Sequence, residues 1–370
     1  MPRVMVIGSY SPSLVRFRGD LIRALVRQGH SVRACAPEIE SWVAEWLKES
    51  GAEFESIPIR RTGTNPIEDL RTIRSLRKAI RRWRPSHLLT YTVKPVVYGA
   101  IAARLEGVPH FFPLITGLGS VFLDGAGEKR AINLMVRMLY RHAMNQADRV
   151  LFQNKDDISD FISMRLLRDD EKCSLTRGSG VNLEEFTLEP LPERPAFLMI
   201  ARLIRDKGVF EFIEAAKMVR GRRPDAVFRL AGWVDTNPGS VGHEALESWI
   251  EEGVVEYLGK LNDVRPALRD CLIYVLPSYR EGTPRTVLEA MATGRPVITT
   301  DVPGCRETVV VGKNGYLVPP RDPRALADAM LQMIQSRPRM ETMGEASRRM
   351  AEERFDVHSV NAEIIRTMGL

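Results

Sequence analysis

The chain has 370 residues, too many for one ordinary domain and enough for two of roughly 150–200 residues, each with its own core. Hydrophobic residues make up 44% and charged residues 27%, the balance of a soluble globular protein. The net charge of +6 is uneven: residues 1–187 hold 28 Lys+Arg against 21 Asp+Glu, residues 188–370 hold 25 against 26, so the first half is expected to meet an anionic partner (phosphate, nucleic acid or an anionic membrane).

Met1–Gly8 lacks a signal-peptide layout and reads as a strand that starts almost at once. No apolar run reaches about 18 residues, so no transmembrane helix is expected. Short apolar runs then alternate with amphipathic stretches, the pattern of parallel sheets with crossover helices. In the first half the strands are expected at residues 4–9, 31–36, 53–58, 87–91, 110–115 and 149–153. Residues 185–195 (EFTLEPLPERP) carry three prolines and no periodicity, and read as a linker. A second alternation follows, with strands at 196–201, 227–231, 254–258, 272–277, 296–300 and 315–318, and helical stretches close the chain. The expected fold class is α/β, with two doubly wound Rossmann-like domains facing across a cleft. Ligands of such sheets bind at the carboxyl ends of the strands. The four cysteines are scattered without a C-x-x-C pair, which disfavours a zinc site or disulfide framework and points to the cytoplasm.

Four constellations lie at strand ends or on helices. The first is Ser278 to Ala290, which follows an expected strand and opens a helix. Thr283 suits the N-cap and Pro284 the first helical position. The free amides of such a first turn, with the positive end of the helix dipole, suit a diphosphate. Glu281 precedes the turn and Glu289 lies beyond it. Carboxylates accept hydrogen bonds in pairs, as vicinal hydroxyls offer them. A capped helix with two surface acids fits the same layout. The second is Ile200 to Gly208, where an Arg202 fork and a Lys207 point charge could hold a diphosphate and stabilise it as a leaving group, or could simply be solvated. The third pairs two loops with small residues that allow a ligand close to the backbone, Ile7 to Ser13, which lacks a full G-x-G-x-x-G fingerprint, and Ile115 to Ser120; either could be an ordinary turn. The fourth is the helix 66–83. Ile67, Leu70, Ile73, Leu76, Ile80 and Trp83 form an apolar stripe, and Arg71, Arg74, Arg77, Lys78, Arg81 and Arg82 supply the other surface. It reads either as a solvated helix face or as a dock for an anionic bilayer, as does the short basic stretch 133–144. Nucleic acid is disfavoured, because helix 66–83 has no side-chain amides and one terminal aromatic. No H-E-x-x-H, P-loop or G-x-S-x-G occurs, and without a D-x-D no carboxylate-held divalent ion is expected at a sugar-nucleotide site.

The acid pair Glu281 and Glu289, seven residues between them, with Ala201-Arg202-Leu203 and Lys207-Gly208 upstream and Asp301 to Glu307 and Asn314-Gly315 downstream, resembles the retaining glycosyltransferases of family 4, which have the GT-B fold. The likeness covers most of residues 195–345. Tyr98-Gly99, Ala102-Ala103-Arg104, Gly107-Val108-Pro109, Thr116 to Gly119, Gly178 to Phe186 and Asp235 to Pro238 look like bacterial members that build polyprenyl-diphosphate-linked oligosaccharides. The resemblance implies a UDP-sugar as co-substrate and no cofactor. It implies Arg202 and Lys207 on the donor diphosphate, Glu281 facing the donor sugar, Glu289 on the ribose, and Thr283, Arg285 and Thr286 at the phosphate. It implies a polyprenyl-diphosphate-linked saccharide as acceptor, with Ser9, Tyr10, Arg18, Lys94, Thr116 and Gly117 on the acceptor side. Many members carry a histidine near the sugar; the matching loop here reads Ile115-Thr116-Gly117. The expected domains are 1–187 for the acceptor, 188–354 for the nucleotide sugar, and a C-terminal helical segment 355–370 packing back on the first. The expected place is the cytoplasm, peripheral on the inner face of the plasma membrane. A UDP-sugar epimerase on the same architecture, or a non-enzymatic membrane-binding module, are the alternatives.

Overall fold

A computed structural model of the chain describes residues 1–60, 65–117, 129–234 and 239–370. Leu118-Gly119-Ser120 and Asp235 to Pro238, used in the sequence reading, lie outside the described residues. The chain forms two compact units, Met1–Ser179 with His358–Leu370, and Gly180–Val357.

The first unit carries strands β1 (Arg3–Ile7), β2 (Ser31–Ala36), β3 (Glu53–Ser56), β4 (His87–Tyr91), β5 (His110–Ile115), β6 (Val150–Phe152) and β7 (Cys173–Leu175). They form one parallel sheet in the order β3-β2-β1-β4-β5-β6-β7. β1 shows why its sequence is an apolar run rather than an alternation. Met5 and Ile7 join the core beneath helices Pro66–Trp83, Val93–Glu106 and Lys129–Gln146, while Val4 and Val6 join the core of the opposite face. A strand covered on both sides has no polar face to offer. That opposite core also takes Val360, Ile364, Ile365 and Met368 from the last helix, Val357–Thr367, and the segment after it. β7 is absent from the sequence reading because its three residues, Cys-Ser-Leu, are part-buried and show neither an apolar run nor an alternation.

The second unit carries β8 (Ala196–Ile200), β9 (Val227–Ala231), β10 (Glu256–Tyr257), β11 (Ile273–Leu276), β12 (Val297–Thr300) and β13 (Gly315–Val318). The order is β10-β9-β8-β11-β12-β13, again all parallel. Each sheet reverses its winding direction once, between β1 and β4 in the first and between β8 and β11 in the second. These two switch points are where a doubly wound sheet opens a crevice at its carboxyl edge.

The proline-rich stretch read as a linker is instead fixed to the second unit. Its prolines lack N–H groups, so its carbonyls need donors from elsewhere. Three arginines supply them. The fully buried Arg295 donates to the carbonyls of Glu189 at 2.9 Å, Pro190 at 3.0 Å and Cys271 at 3.1 Å. Arg337 donates to Leu191 and Pro192, and Arg348 to Phe186 and Ala292. Arg295→Met, close in volume but unable to donate, leaves buried carbonyls without partners. It should destabilise the second unit by about 3 kcal/mol, read as a lower urea midpoint for that unit.

Candidate active site

At the switch point of the second unit, two strand-end loops are pressed together by glycines that admit no side chain. After β8, the Ala201 N–H donates to the Ala231 carbonyl at 3.0 Å. Opposite it sits Gly232 at φ +152°, where a Cβ would overlap the Ala201 carbonyl. The chain then makes a single 3-10 turn, Arg205–Lys207, closed by Gly208 at φ +74°. A Cβ at Gly208 would strike the Pro277 carbonyl at the end of β11. Only glycine tolerates both that backbone conformation and that approach.

This crowding brings Lys207 to the loop after β11. Lys207 Nζ forms an ion pair with Glu281 Oε1, with 19% and 14% of the two side chains exposed. The buried Ser278 hydroxyl donates to the same oxygen at 2.7 Å. The Tyr279 N–H donates to the Asp206 carbonyl at 2.9 Å and the Glu281 N–H to the Pro303 carbonyl at 3.1 Å. The loop after β12 closes the third side. Thr300 Oγ1 donates to the Ser278 carbonyl, and Gly304, at φ +78°, lies where a Cβ would overlap the carbonyls of Glu281 and Gly282. Beneath, the Cys305 thiol is buried, and burial together with the Glu281 charge pushes its pKa up to about 12, so it stays a neutral thiol. Sequence reasoning assigned no role to Ser278, Tyr279, Gly232 or Gly304. The signal it passed over was a glycine at or just after a strand end, as in Ala231-Gly232 and Val302-Pro303-Gly304.

The helix after this loop runs Arg285–Ala292, one residue later than expected. Pro284, at φ −73° and ψ 107°, is the N-cap, and its carbonyl accepts from Val287 and Leu288, so Thr283 lies outside the helix and is not its cap. The proline's ψ is extended rather than helical, which moves the start. The amides of Arg285 and Thr286 precede the first intrahelical bond, as first-turn amides do. The Thr286 side chain turns inward to the buried Tyr274 hydroxyl, leaving its backbone amide as the group that could meet a ligand. Arg285 Nε donates to Glu289 Oε1 at 2.8 Å, and Glu289 is buried. Arg202 stands part-exposed at the end of β8, its carbonyl accepting from the Ile204 N–H at 2.8 Å. One switch point thus gathers two cations, a helix N-terminus and a carboxylate held in fixed orientation. That set suits a diphosphate leaving group beside a polyhydroxyl ring.

The first unit's switch point has the same topology and different chemistry. Thr92 Oγ1 donates to Ser9 Oγ at 2.9 Å between the ends of β4 and β1, and Thr92 sits at φ +68°, a conformation that costs a non-glycine residue roughly 1–3 kcal/mol. Ser13 Oγ lies 2.8 Å from the Tyr91 hydroxyl, and the Arg18 guanidinium, 3% exposed, stacks 5.3 Å from the Tyr91 ring centre. Burial pushes the Tyr91 phenol up to about 12. Ser9, Tyr10 and Arg18 therefore share one strand end. Thr116 and Gly117 lie at the end of β5, with Gly117 at φ +122°. Lys94 departs from this group: its ammonium is tied to Asp69 at 2.9 Å, on helix Pro66–Trp83.

That helix is capped by Asn65 and buries Leu76, Ala79, Ile80 and Trp83. The apolar stripe does not continue along it. Ile67 is 67% exposed and Leu70 46%, while Thr72 is buried in their stead, bonded to the carbonyls of Pro58 and Glu68. Arg77 and Arg81 pair with Glu106, and Arg82 with Glu55. Among the described residues, Arg71, Arg74 and Lys78 have no ion-pair partner. Spaced at 67, 71, 74 and 78, they share one helix face with Ile67. Helix Lys129–Gln146 exposes Leu134, Met135 and Met138. No described helix is long and apolar enough to cross a membrane.

Two Rossmann-like sheets with a cationic, carboxylate-bearing switch point define a class of sugar-transferring enzyme, and the family matches agree. Residues 14–171 match the model of the glycosyl transferase 4-like domain and residues 194–336 that of glycosyl transferases group 1, together most of the chain. The chain belongs to this glycosyltransferase family. It is 28% identical over 347 residues, 90% of this chain and 89% of the relative, to the N,N'-diacetylbacillosaminyl-diphospho-undecaprenol alpha-1,3-N-acetylgalactosaminyltransferase of Campylobacter jejuni. It is 26% identical, over 79% of this chain and 77% of the relative, to the UDP-Gal:alpha-D-GlcNAc-diphosphoundecaprenol alpha-1,3-galactosyltransferase of Escherichia coli. The structure of Anabaena Alr3699/HepE in complex with UDP and glucose superposes with a TM-score of 0.80 at 18% identity, covering 100% of both chains, and shares the GT-B fold.

Gly304→Ala tests the packing of the Glu281 loop. Its added methyl must push the carbonyls of Glu281 and Gly282 aside, so sugar transfer should fall by about 100-fold while the circular dichroism spectrum stays native. Wild-type transfer rates in this variant would show that the loop position is not needed.

Proposed function

We propose that the protein transfers a hexose or N-acetylhexosamine from a UDP-sugar to a polyprenyl-diphosphate-linked saccharide, with retention at the anomeric carbon. The Lys207–Glu281 pair at the switch point carries the reading, since it sets a cation for the leaving diphosphate beside a carboxylate for the sugar. The relatives' UDP-galactose donor and diphospho-undecaprenol acceptors support the substrate classes, as does the UDP held by the Anabaena enzyme.

In this mechanism the bond between the anomeric carbon and the β-phosphate oxygen breaks as the acceptor hydroxyl oxygen bonds to the same face of that carbon. The acceptor proton passes to the departing phosphate oxygen, so no separate protein base is needed. Arg202, Lys207 and the amides of Arg285 and Thr286 take the charge that develops on the diphosphate, which is where preorganised positive groups lower a barrier most. Thr283 flanks the phosphate. Glu289 holds the ribose hydroxyls by exchanging part of its bond with Arg285. No divalent ion enters the scheme. Ser9, Tyr10, Arg18, Thr116 and Gly117 receive the acceptor. Lys94 serves that side indirectly, by fixing helix Pro66–Trp83 through Asp69.

On this reading the enzyme works peripherally on an anionic membrane at the inner face of the plasma membrane, with Arg71, Arg74 and Lys78 as the cations that meet lipid headgroups and Ile67 and Leu70 as the apolar anchors. Arg77 and Arg81, which the sequence also nominated, are engaged by Glu106.

Arg202→Ala and Lys207→Ala should each lower kcat/KM for transfer by about 10²–10³-fold, measured across UDP- and GDP-sugars with a polyprenyl-diphosphate saccharide as acceptor. Near-normal transfer by both variants would falsify the assignment, and epimerisation of the UDP-sugar regardless of acceptor would favour the epimerase reading. Separately, Arg71→Glu, Arg74→Glu and Lys78→Glu combined should weaken binding to vesicles containing anionic phospholipid by about 10-fold or more. Reversal of Arg77 and Arg81 has a smaller expected effect. Equal binding by wild type and the triple variant removes the membrane role of this face.

A further inference from the structure

Tyr279 ties the loop that carries Glu281 to the turn and helix that follow β8 and to the turn after β13, and nothing in the mechanism uses it. Its N–H donates to the Asp206 carbonyl at 2.9 Å, in the turn that carries Lys207. Its hydroxyl donates to Glu211 Oε1 at 2.7 Å, in the first turn of the helix Val209–Arg222 that follows Lys207. The Arg321 guanidinium, from the turn after β13, stands 4.7 Å from its ring centre. Arg321 itself holds φ +62°, in the left-handed region that a side-chain-bearing residue adopts only against its preference. A strained cation over an aromatic face is a contact the fold maintains against a local preference. Glu211 Oε2 is buried and has no hydrogen-bond partner among the described residues, while the Tyr279 hydroxyl donates to the other oxygen of that carboxylate. Burial and the Glu211 charge push the Tyr279 phenol up to about 12, so it remains a donor at working pH.

The geometry of these bonds has a consequence for the ion pair. Lys207 lies between Asp206 and Glu211, and Tyr279 grips both sides of it. Glu281 lies two residues beyond Tyr279 on the same loop. We propose that Tyr279, anchored on Glu211 and covered by Arg321, is a positioning residue that sets the separation of Lys207 and Glu281, and so governs the rate of transfer rather than the affinity for the sugar nucleotide. This rests on the roles given to Lys207 and Glu281 above. Donor binding draws on Arg202, the helix amides and Glu289 as well, so a small shift of one loop leaves most of it intact. The chemical step depends on the relative placement of the two charges.

The test compares Tyr279→Phe, Glu211→Ala, Glu211→Gln and the double variant Tyr279→Phe/Glu211→Ala in the full chain. Tyr279→Phe and Glu211→Ala should each lower kcat by about 10-fold with the UDP-sugar KM within about twofold. The double variant should be no slower than either single one, because both remove the same bond. Glu211→Gln keeps an acceptor oxygen and should restore kcat to near the wild-type value. Hydrogen–deuterium exchange over residues 278–283 should quicken in the Phe and Ala variants and not in the Gln variant. The proposal is overturned by wild-type kcat in Tyr279→Phe, by additive losses, by a rise in KM with kcat intact, or by a fall in thermal stability alone. A wild-type enzyme that transfers no sugar counts against the functional reading. Exchange then decides the brace by itself, and equal exchange in Tyr279→Phe and wild type rejects it.

Discussion

The second unit depends on fitting a lysine and a glutamate, 74 residues apart in sequence, into one corner at the end of β8 and β11. Neither side chain is free to wander. The carboxylate is held by Ser278 and Lys207 together, and its backbone by the Pro303 carbonyl. With most of both side chains out of water, breaking the pair by removing one partner would strand the other charge, which is costlier than the pair is worth in itself. This has a chemical use. In the proposed transfer, an anionic diphosphate approaching Lys207 would meet an ammonium already fixed in place, with little reorganisation left for the moment of bond breaking. Glu281 partly neutralises that ammonium in the resting site. In the proposed site, Arg202 and the helix terminus add to the positive charge that meets the diphosphate.

The first unit repeats the winding with other side chains at the switch point. Hydroxyls of Ser9, Ser13, Thr92 and Tyr91 replace the ion pair, and one buried arginine, Arg18, lies against the Tyr91 ring. Hydroxyl groups donate and accept, so this lining can match sugar hydroxyls in either sense, whereas the lysine–glutamate corner is specialised for separated charges. The strained Thr92 fits the difference. A threonine at φ +68° persists because its hydroxyl is needed against Ser9 while its backbone turns into helix Val93–Glu106. One topology therefore supplies two kinds of site, and the chemistry follows the strand-end residues rather than the sheet.

How much of this could be read beforehand follows from the physics of each signal. The buried strands β1, β4, β5, β8 and β12 announce themselves as apolar runs, because parallel strands between two helical layers have no wet face. β7 does not, since a short edge strand has too few residues to show a pattern; β10, also at an edge, was legible only as part of the longer expected run 254–258. Glu281 and Glu289 were legible through their spacing and the helix start between them. The partnership of Glu281 with Lys207 was not, because a crossover connection brings them together and sequence separation hides it. The glycines that enforce it were in plain view, but φ and close approach belong to the folded chain. The helix cap shows the opposite failure. Thr283-Pro284 fits a standard N-terminus, and the extended ψ of Pro284 still moves the start to Arg285.

Charge shows why counting is a poor guide to a site. The excess of positive residues in the first half invites a search for an anionic partner across its whole surface. Many of those residues already have partners within the protein. Arg33 bridges Glu53 and Glu55 and, with Arg3, stacks on Trp83. Arg23 covers Trp46, and Arg77, Arg81 and Arg82 are absorbed by Glu106 and Glu55. In the second unit, where the net charge is close to zero, arginines serve the proline-rich segment as carbonyl donors. A guanidinium whose donors are spent on the protein's own acceptors adds to the net charge and contributes little to holding a ligand. The cations that matter are the few whose neighbours leave them a task. Lys207 is shared with a single carboxylate beside a helix N-terminus. Among the described residues, Arg71, Arg74 and Lys78 have no ion-pair partner, and exposed Ile67 and Leu70 lie on the same helix. The asymmetry of charge between the halves is real, but what locates a site is the remainder after the internal partners have been assigned.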